Sequence, residues 1–147
     1  MPSSWTGLGT SLAVDTEIFT SAPYALKLTP ATGSYSYVIS ERAEIRPGTD
    51  YVVSAWVRTE GNDEYTDFLP IRWFNGSSFM QQSGPVAPGD DPEWSAISQT
   101  VTAPDEATHA DVAFFMQSQQ GAVWIDDVSL KADGADEELL TNPSFDQ

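Results

Sequence analysis

The stretch Pro47-Gly48-Thr49-Asp50-Tyr51-Val52-Val53-Ser54-Ala55-Trp56-Val57-Arg58 carries the strongest structural signal in the chain. Proline presets φ and glycine takes positive φ, so residues 47–50 read as a turn. Behind it, residues 51–58 are rich in β-branched and aromatic side chains and keep a period of two, which is a strand. Gly61-Asn62-Asp63-Glu64 closes it.

The same pattern continues in both directions. Upstream, residues 11–14, 24–28 and 35–39 read as short strands, with Tyr35 and Tyr37 on one face of the last. Downstream, residues 68–74 form the next strand, and Pro70 hints at an edge or bulge. Asn75-Gly76 is a hairpin turn signal leading to Phe79-Met80. Residues 84–92 hold three prolines and two glycines and read as a loop. Residues 94–101, 110–116 and 122–130 complete the set, so Trp56, Trp73, Trp94 and Trp124 each fall inside a strand. No segment holds a 3.6-residue stripe long enough for a useful helix. Short strands at about ten-residue spacing predict an all-β fold, two antiparallel sheets packed face to face.

Size and charge narrow the function. At 147 residues the chain is one domain, large enough to bury its own core. It has no cysteine, which excludes disulfides and thiolate chemistry. Twenty-two acidic residues against six basic ones give a net charge of -16, which repels nucleic-acid phosphates and anionic lipid. No stretch approaches the roughly 20 apolar residues of a membrane span. Met1-Pro2-Ser3-Ser4-Trp5 lacks the basic and apolar regions of a signal peptide.

Three stretches in order resemble the jelly-roll carbohydrate-binding modules, galactose-binding-like β-sandwiches found beside glycosidases and in phage tail and surface proteins. They are Tyr24-Ala25-Leu26-Lys27-Leu28, the stretch at 47–57, and Val123-Trp124-Ile125-Asp126-Asp127-Val128-Ser129-Leu130. The resemblance implies a two-sheet antiparallel jelly roll. One element is displaced. The family's opening strand corresponds to Leu139-Leu140-Thr141-Asn142-Pro143-Ser144-Phe145-Asp146, at the C-terminal end, while the Trp5-Thr6-Gly7 that should follow it begins the chain. That is the order of a circular permutation or of a cut between tandem repeats. The expected organisation is a sandwich over residues 1–131, a flexible acidic linker over 132–138, and a strand over 139–147. Through Leu139, Leu140 and Phe145, that strand would complete the sandwich in the same chain or in a neighbouring subunit.

The site residues follow from these readings. His109 is the single histidine and has no recognisable triad context, and there is no phosphate loop or His/Cys cluster, so an enzyme is not expected. The resemblance implies a structural calcium ion held by Asp127 and Asp146, with Asp126 on the opposite strand face as the weaker candidate. Sugar sites stack aromatic faces on pyranose rings and surround them with polar side chains. The candidates are Tyr35, Tyr37, Trp56, Arg58, Arg72, Trp73 and Gln117. Trp56 and Trp124 are nevertheless expected in the core, because sandwiches need aromatics inside. Two functions are expected. One is a non-catalytic module binding glycan at an exposed surface. The other is a structural subunit, either a virion decoration or tail protein or an extracellular filament, assembled as a homo-oligomer by strand exchange. Both place the chain outside the cell or on a virion surface.

Overall fold

Two antiparallel sheets face each other in the computed structural model, which describes residues 5–8, 12–15, 25–29, 36–61, 67–87, 93–117 and 120–140. The strands in chain order are β1 (Trp5–Leu8), β2 (Leu12–Asp15), β3 (Ala25–Leu28), β4 (Ser36–Ser40), β5 (Ala43–Glu44) and β6 (Asp50–Glu60). They continue with β7 (Ile71–Asn75), β8 (Ser78–Ser83), β9 (Ser95–Thr102), β10 (His109–Met116) and β11 (Ala122–Ala132). One sheet runs β1-β4-β10-β7-β8, with the two-residue β5 also paired to β10. The other runs β2-β3-β11-β6-β9.

β6 shows why the sequence stacks this way. Tyr51, Val53, Ala55, Val57 and Thr59 are buried, while Val52, Ser54, Trp56, Arg58 and Glu60 between them are not. The buried set faces the other sheet, where Val38, Ile71, Trp73, Val112, Phe114 and Met116 point back. Each large side chain buried there contributes about 1.5–3 kcal/mol. β11 lies beside β6 and adds Val123, Ile125, Val128 and Leu130. The turn before β11 depends on Gly121, whose φ is 81° and whose added Cβ would lie 2.2 Å from the Glu60 carbonyl oxygen.

Two strands, β1 and β5, lie outside the sequence reading. β5 is only two residues long, and β1 contains Gly7, which lowers strand propensity. Trp5 on β1 is nevertheless buried in the core.

The acidic segment after β11 is tied down rather than a free linker. Asp133 N–H donates to the Asp50 carbonyl at 2.9 Å, and Ala135 N–H to that of Ala132 at 2.9 Å. The chain then returns along β11, with Leu139 N–H donating to the Leu130 carbonyl at 3.0 Å. Glu138 Oε2 accepts from the backbone N–H of Leu130 at 2.9 Å and of Leu140 at 3.2 Å. Leu140 enters the core and Leu139 packs against it, so this part of the tail folds onto its own chain. Phe145 lies outside the described residues.

Candidate functional site

The outward face of the six-stranded sheet carries a row of aromatic rings. β4 and β10 pair so that Tyr37 stands opposite Phe115, and their ring centroids are 5.7 Å apart. On the other side of β10, Phe68 exchanges two backbone hydrogen bonds with Phe115, at 3.2 and 3.0 Å. Their rings stack at 5.5 Å with 27° between planes. All three side chains are half-buried. They form one apolar strip across three neighbouring chain segments.

Phe68 is held by the segment on its other side. It bridges to Val86, Leu69 N–H donates to the Pro85 carbonyl at 2.9 Å, and Ala87 N–H to that of Asp67 at 2.8 Å. The approach is close enough that a Cβ on Gly84 would lie 1.9 Å from the Leu69 carbonyl oxygen, so only glycine fits there. Asp67 is buried, and its Oδ1 accepts from Gln117 N–H at 2.8 Å, fixing the end of β10 beside the row.

Beside the aromatics lies a two-bond ion pair. Arg72 on β7 stands opposite Asp111 on β10. Arg72 Nε donates to Oδ1 at 2.7 Å and Nη2 to Oδ2 at 2.8 Å. Asp111 is 2% exposed. The hydrogen bond to Asp111 is the largest influence on Arg72 and raises its pKa above the ordinary arginine value; burial opposes this, and the charges of Asp111 and Tyr37 add to it. Phe74 follows on the same face, with the Arg42 guanidinium 3.8 Å from its ring centroid and that of Arg72 5.3 Å away. Phe79, 54% exposed, meets Phe74 edge-on at 5.8 Å. Fixed donors beside an apolar strip suit a ligand that presents both C–H faces and hydroxyl groups.

The sequence candidates divide among three places. Tyr37, Arg72 and Gln117 belong to this face. Trp56 and Arg58 share a strand face as expected, but it is the outward face of the other sheet, away from Arg72 and Gln117. The core role expected for Trp56 is corrected: it is 41% exposed because Ala55 and Val57 take the inward positions on either side of it. Trp73 is corrected in the opposite sense. It is fully buried in the core against Tyr51, with ring centroids 5.9 Å apart, because Arg72 and Phe74 take the outward positions of β7. Trp124 is buried, yet on the outward side of its sheet, beneath the cations of Lys27 and Arg58 at 5.1 and 5.0 Å. Tyr35 lies outside the described residues.

Phe68, Phe115 and Asp111 are additions to the sequence candidates. Asp111 had a legible signal, as the single charged residue within the apolar run at 110–116. Phe115 follows it at a spacing of four, on the same strand face.

Near the expected calcium ligands, β11 carries a bulge. Asp126 stands opposite Trp56 and Ser129 opposite Ser54, so three residues span what two span on β6. Asp127 sits in the bulge at φ 49°, and its N–H donates to Asp126 Oδ1 at 2.8 Å. Simple alternation therefore fails here as a guide to which aspartate faces where. Asp146 lies outside the described residues, and among the described residues no three His, Cys, Asp or Glu side chains converge to hold an ion. A separate cavity of about 490 Å³ is lined by Ile45, Arg46, Tyr51, Glu137 and Leu139 and shares no residue with the aromatic row.

Comparison with known proteins places this architecture. No protein-family model matches the chain, and no curated protein matches it. Solved structures do. The enzymatically active domain of tailspike protein 4 from bacteriophage CBA120 superposes with a TM-score of 0.71 at 17% identity, over 88% of this chain and 19% of that one. The CBM22-1 and GH10 modules of Clostridium thermocellum xylanase 10B, complexed with xylohexaose, give 0.71 at 18% identity, over 89% of this chain and 26% of that one. A family 16 carbohydrate-binding module gives 0.69 at 14% identity, over 86% of this chain and 89% of that one. This chain thus spans about a fifth of the tailspike domain and a quarter of the xylanase modules, but nearly the whole isolated module. The shared feature is the fold, the jelly-roll β-sandwich of carbohydrate-binding modules.

Proposed function

We propose that this chain is a non-catalytic glycan-binding module whose binding surface is the outward face of the six-stranded sheet. The observation that carries the reading is the strip Tyr37–Phe115–Phe68 beside the Arg72–Asp111 pair. Both Asp111 oxygens accept from Arg72, so this carboxylate fixes a guanidinium rather than standing ready to move a proton. Sugar rings would lie on the aromatic strip, with Arg72 and Gln117 meeting hydroxyl groups. The neighbour complexed with xylohexaose supports a neutral oligosaccharide as ligand. Calorimetric titration with xylo- and cello-oligosaccharides tests it. Phe115→Ala is expected to weaken binding about tenfold or more, as loss of a stacking ring does. No heat with any neutral oligosaccharide, or binding indifferent to Phe115→Ala and Tyr37→Ala, would sink the reading.

A second reading, supported by the tailspike likeness, is a structural role on a virion or another extracellular surface, with tail residues exchanged between copies. Calcium held by Asp127 together with Asp146 belongs with it as a proposal, since the ion would pin the tail; Asp127 alone among the described residues does not make the site. Light scattering on a sizing column, with and without calcium, tests both. An oligomer that dissociates when calcium is chelated supports them. A monomer with unchanged mass and melting temperature in either buffer removes them.

A further inference from the structure

The outward face of the five-stranded sheet carries a second constellation, independent of the aromatic row. Trp56 is exposed there, and its β9 neighbour is Ala96, itself exposed and too small to overhang the indole. On β11, Asp126 stands opposite Trp56, and Trp124 opposite Arg58. Lys27 on β3 stands opposite Trp124 from the other side. The ring of Trp124 thus carries two cations, Lys27 Nζ at 5.1 Å and the Arg58 guanidinium at 5.0 Å.

Among the described residues Arg58 has one ion pair, Nη2 to Glu60 at 3.7 Å, and Glu60 is 61% exposed, so solvent screens it. Arg58 Nε is buried with no hydrogen-bond partner among the described residues, so only the terminal nitrogens of the guanidinium are open to a ligand. Lys27 and Arg58 are two of only six basic residues in a chain with 22 acids, and they lie on one row of one sheet. Next to them, two positions along β6 and roughly 7 Å away, lies the exposed indole of Trp56.

We propose that this face is a second binding site, selective for uronic-acid sugars. The ring of the uronate stacks on Trp56. Its carboxylate points along β6 to Arg58, with Lys27 adding positive charge. A neutral sugar gains the stacking alone.

The test uses the full chain and two probes of equal length and linkage, an oligoglucuronate and its neutral glucose counterpart, read by tryptophan emission and calorimetry. The wild-type protein is expected to bind the uronate with a change in emission, more weakly as salt rises. Arg58→Gln is expected to weaken that binding about tenfold or more, and Trp56→Ala to abolish the emission change. Phe115→Ala, on the opposite sheet, should leave uronate binding intact while removing neutral-glycan binding, which separates this proposal from the first. Absence of uronate binding overturns the proposal. So does uronate binding that survives both Arg58→Gln and Trp56→Ala, or that is lost with Phe115→Ala alone.

Discussion

Asp111 holds a charge on the outward side of a sheet while only 2% exposed. Such a charge is tolerated because Arg72 supplies two short hydrogen bonds. Removing one partner leaves the other uncompensated, which costs more than the pair contributes. Asp111→Asn is therefore expected to lower stability by about 3 kcal/mol in urea denaturation. Replacing both residues, Arg72→Met with Asp111→Leu, should recover much of that loss, and equal losses in the single and double variants would show that packing alone matters here. The pH dependence follows from the direction of the Arg72 shift. A cation whose folded pKa is raised contributes fully below its unfolded value and loses that contribution only as pH rises through the folded one. Both lie above the neutral range, so Arg72 stays charged and wild-type urea stability should show no step from this group between pH 6 and 9.

At the scale of the element, the returning tail is the feature most exposed to test. Leu140 is buried, and Glu138 uses one carboxylate oxygen to accept from two backbone N–H groups. Leu140→Ala is expected to cost about 2–3 kcal/mol as a cavity-forming change. Glu138→Ala is expected to cost about 1–2 kcal/mol, because the N–H of Leu130 loses its acceptor. Thermal or urea melts check both, and wild-type stability in both variants would show that the tail merely rests on the sandwich. β6 was legible because one of its faces is buried, so buried and solvent-facing side chains alternate along it, and β10 because it is a short, nearly continuous apolar run. The tail was only half legible. Leu139 and Leu140 announce burial, but the Glu138 carboxylate returning to β11 depends on a contact between segments that no local pattern encodes. Bulges fail for the same reason. The extra residue at Asp127 breaks the two-residue period on which the orientation of Asp126 was read. The site residues show a further limit. Sequence grouped Trp73 with Arg72 and Trp56 with the core, and strand parity in the folded sheets reversed both.

Across the whole molecule, charge and architecture oppose each other. A sandwich of this size brings 22 acids within a few nanometres, against six basic residues. Among the described residues two ion pairs are formed, Arg72–Asp111 and the long Arg58–Glu60 contact. The remaining acids repel one another through solvent, and folding concentrates that repulsion relative to the extended chain. The Debye length falls from about 10 Å at 0.1 M salt to about 3 Å at 1 M, so added salt removes the repulsion between exposed charges first. The Arg72–Asp111 pair, largely out of water, is little affected. Net stability should therefore rise with sodium chloride. A gain of about 1–2 kcal/mol corresponds to about 3–6 °C in melting temperature for a domain of this size. The expected curve is steepest below physiological ionic strength and levels off as screening saturates. A melting temperature independent of salt would mean that the acids are spaced widely enough to be screened already. A fall with salt would mean that attractive surface pairs outweigh the repulsion, and the acidic excess would then need a cation to explain it.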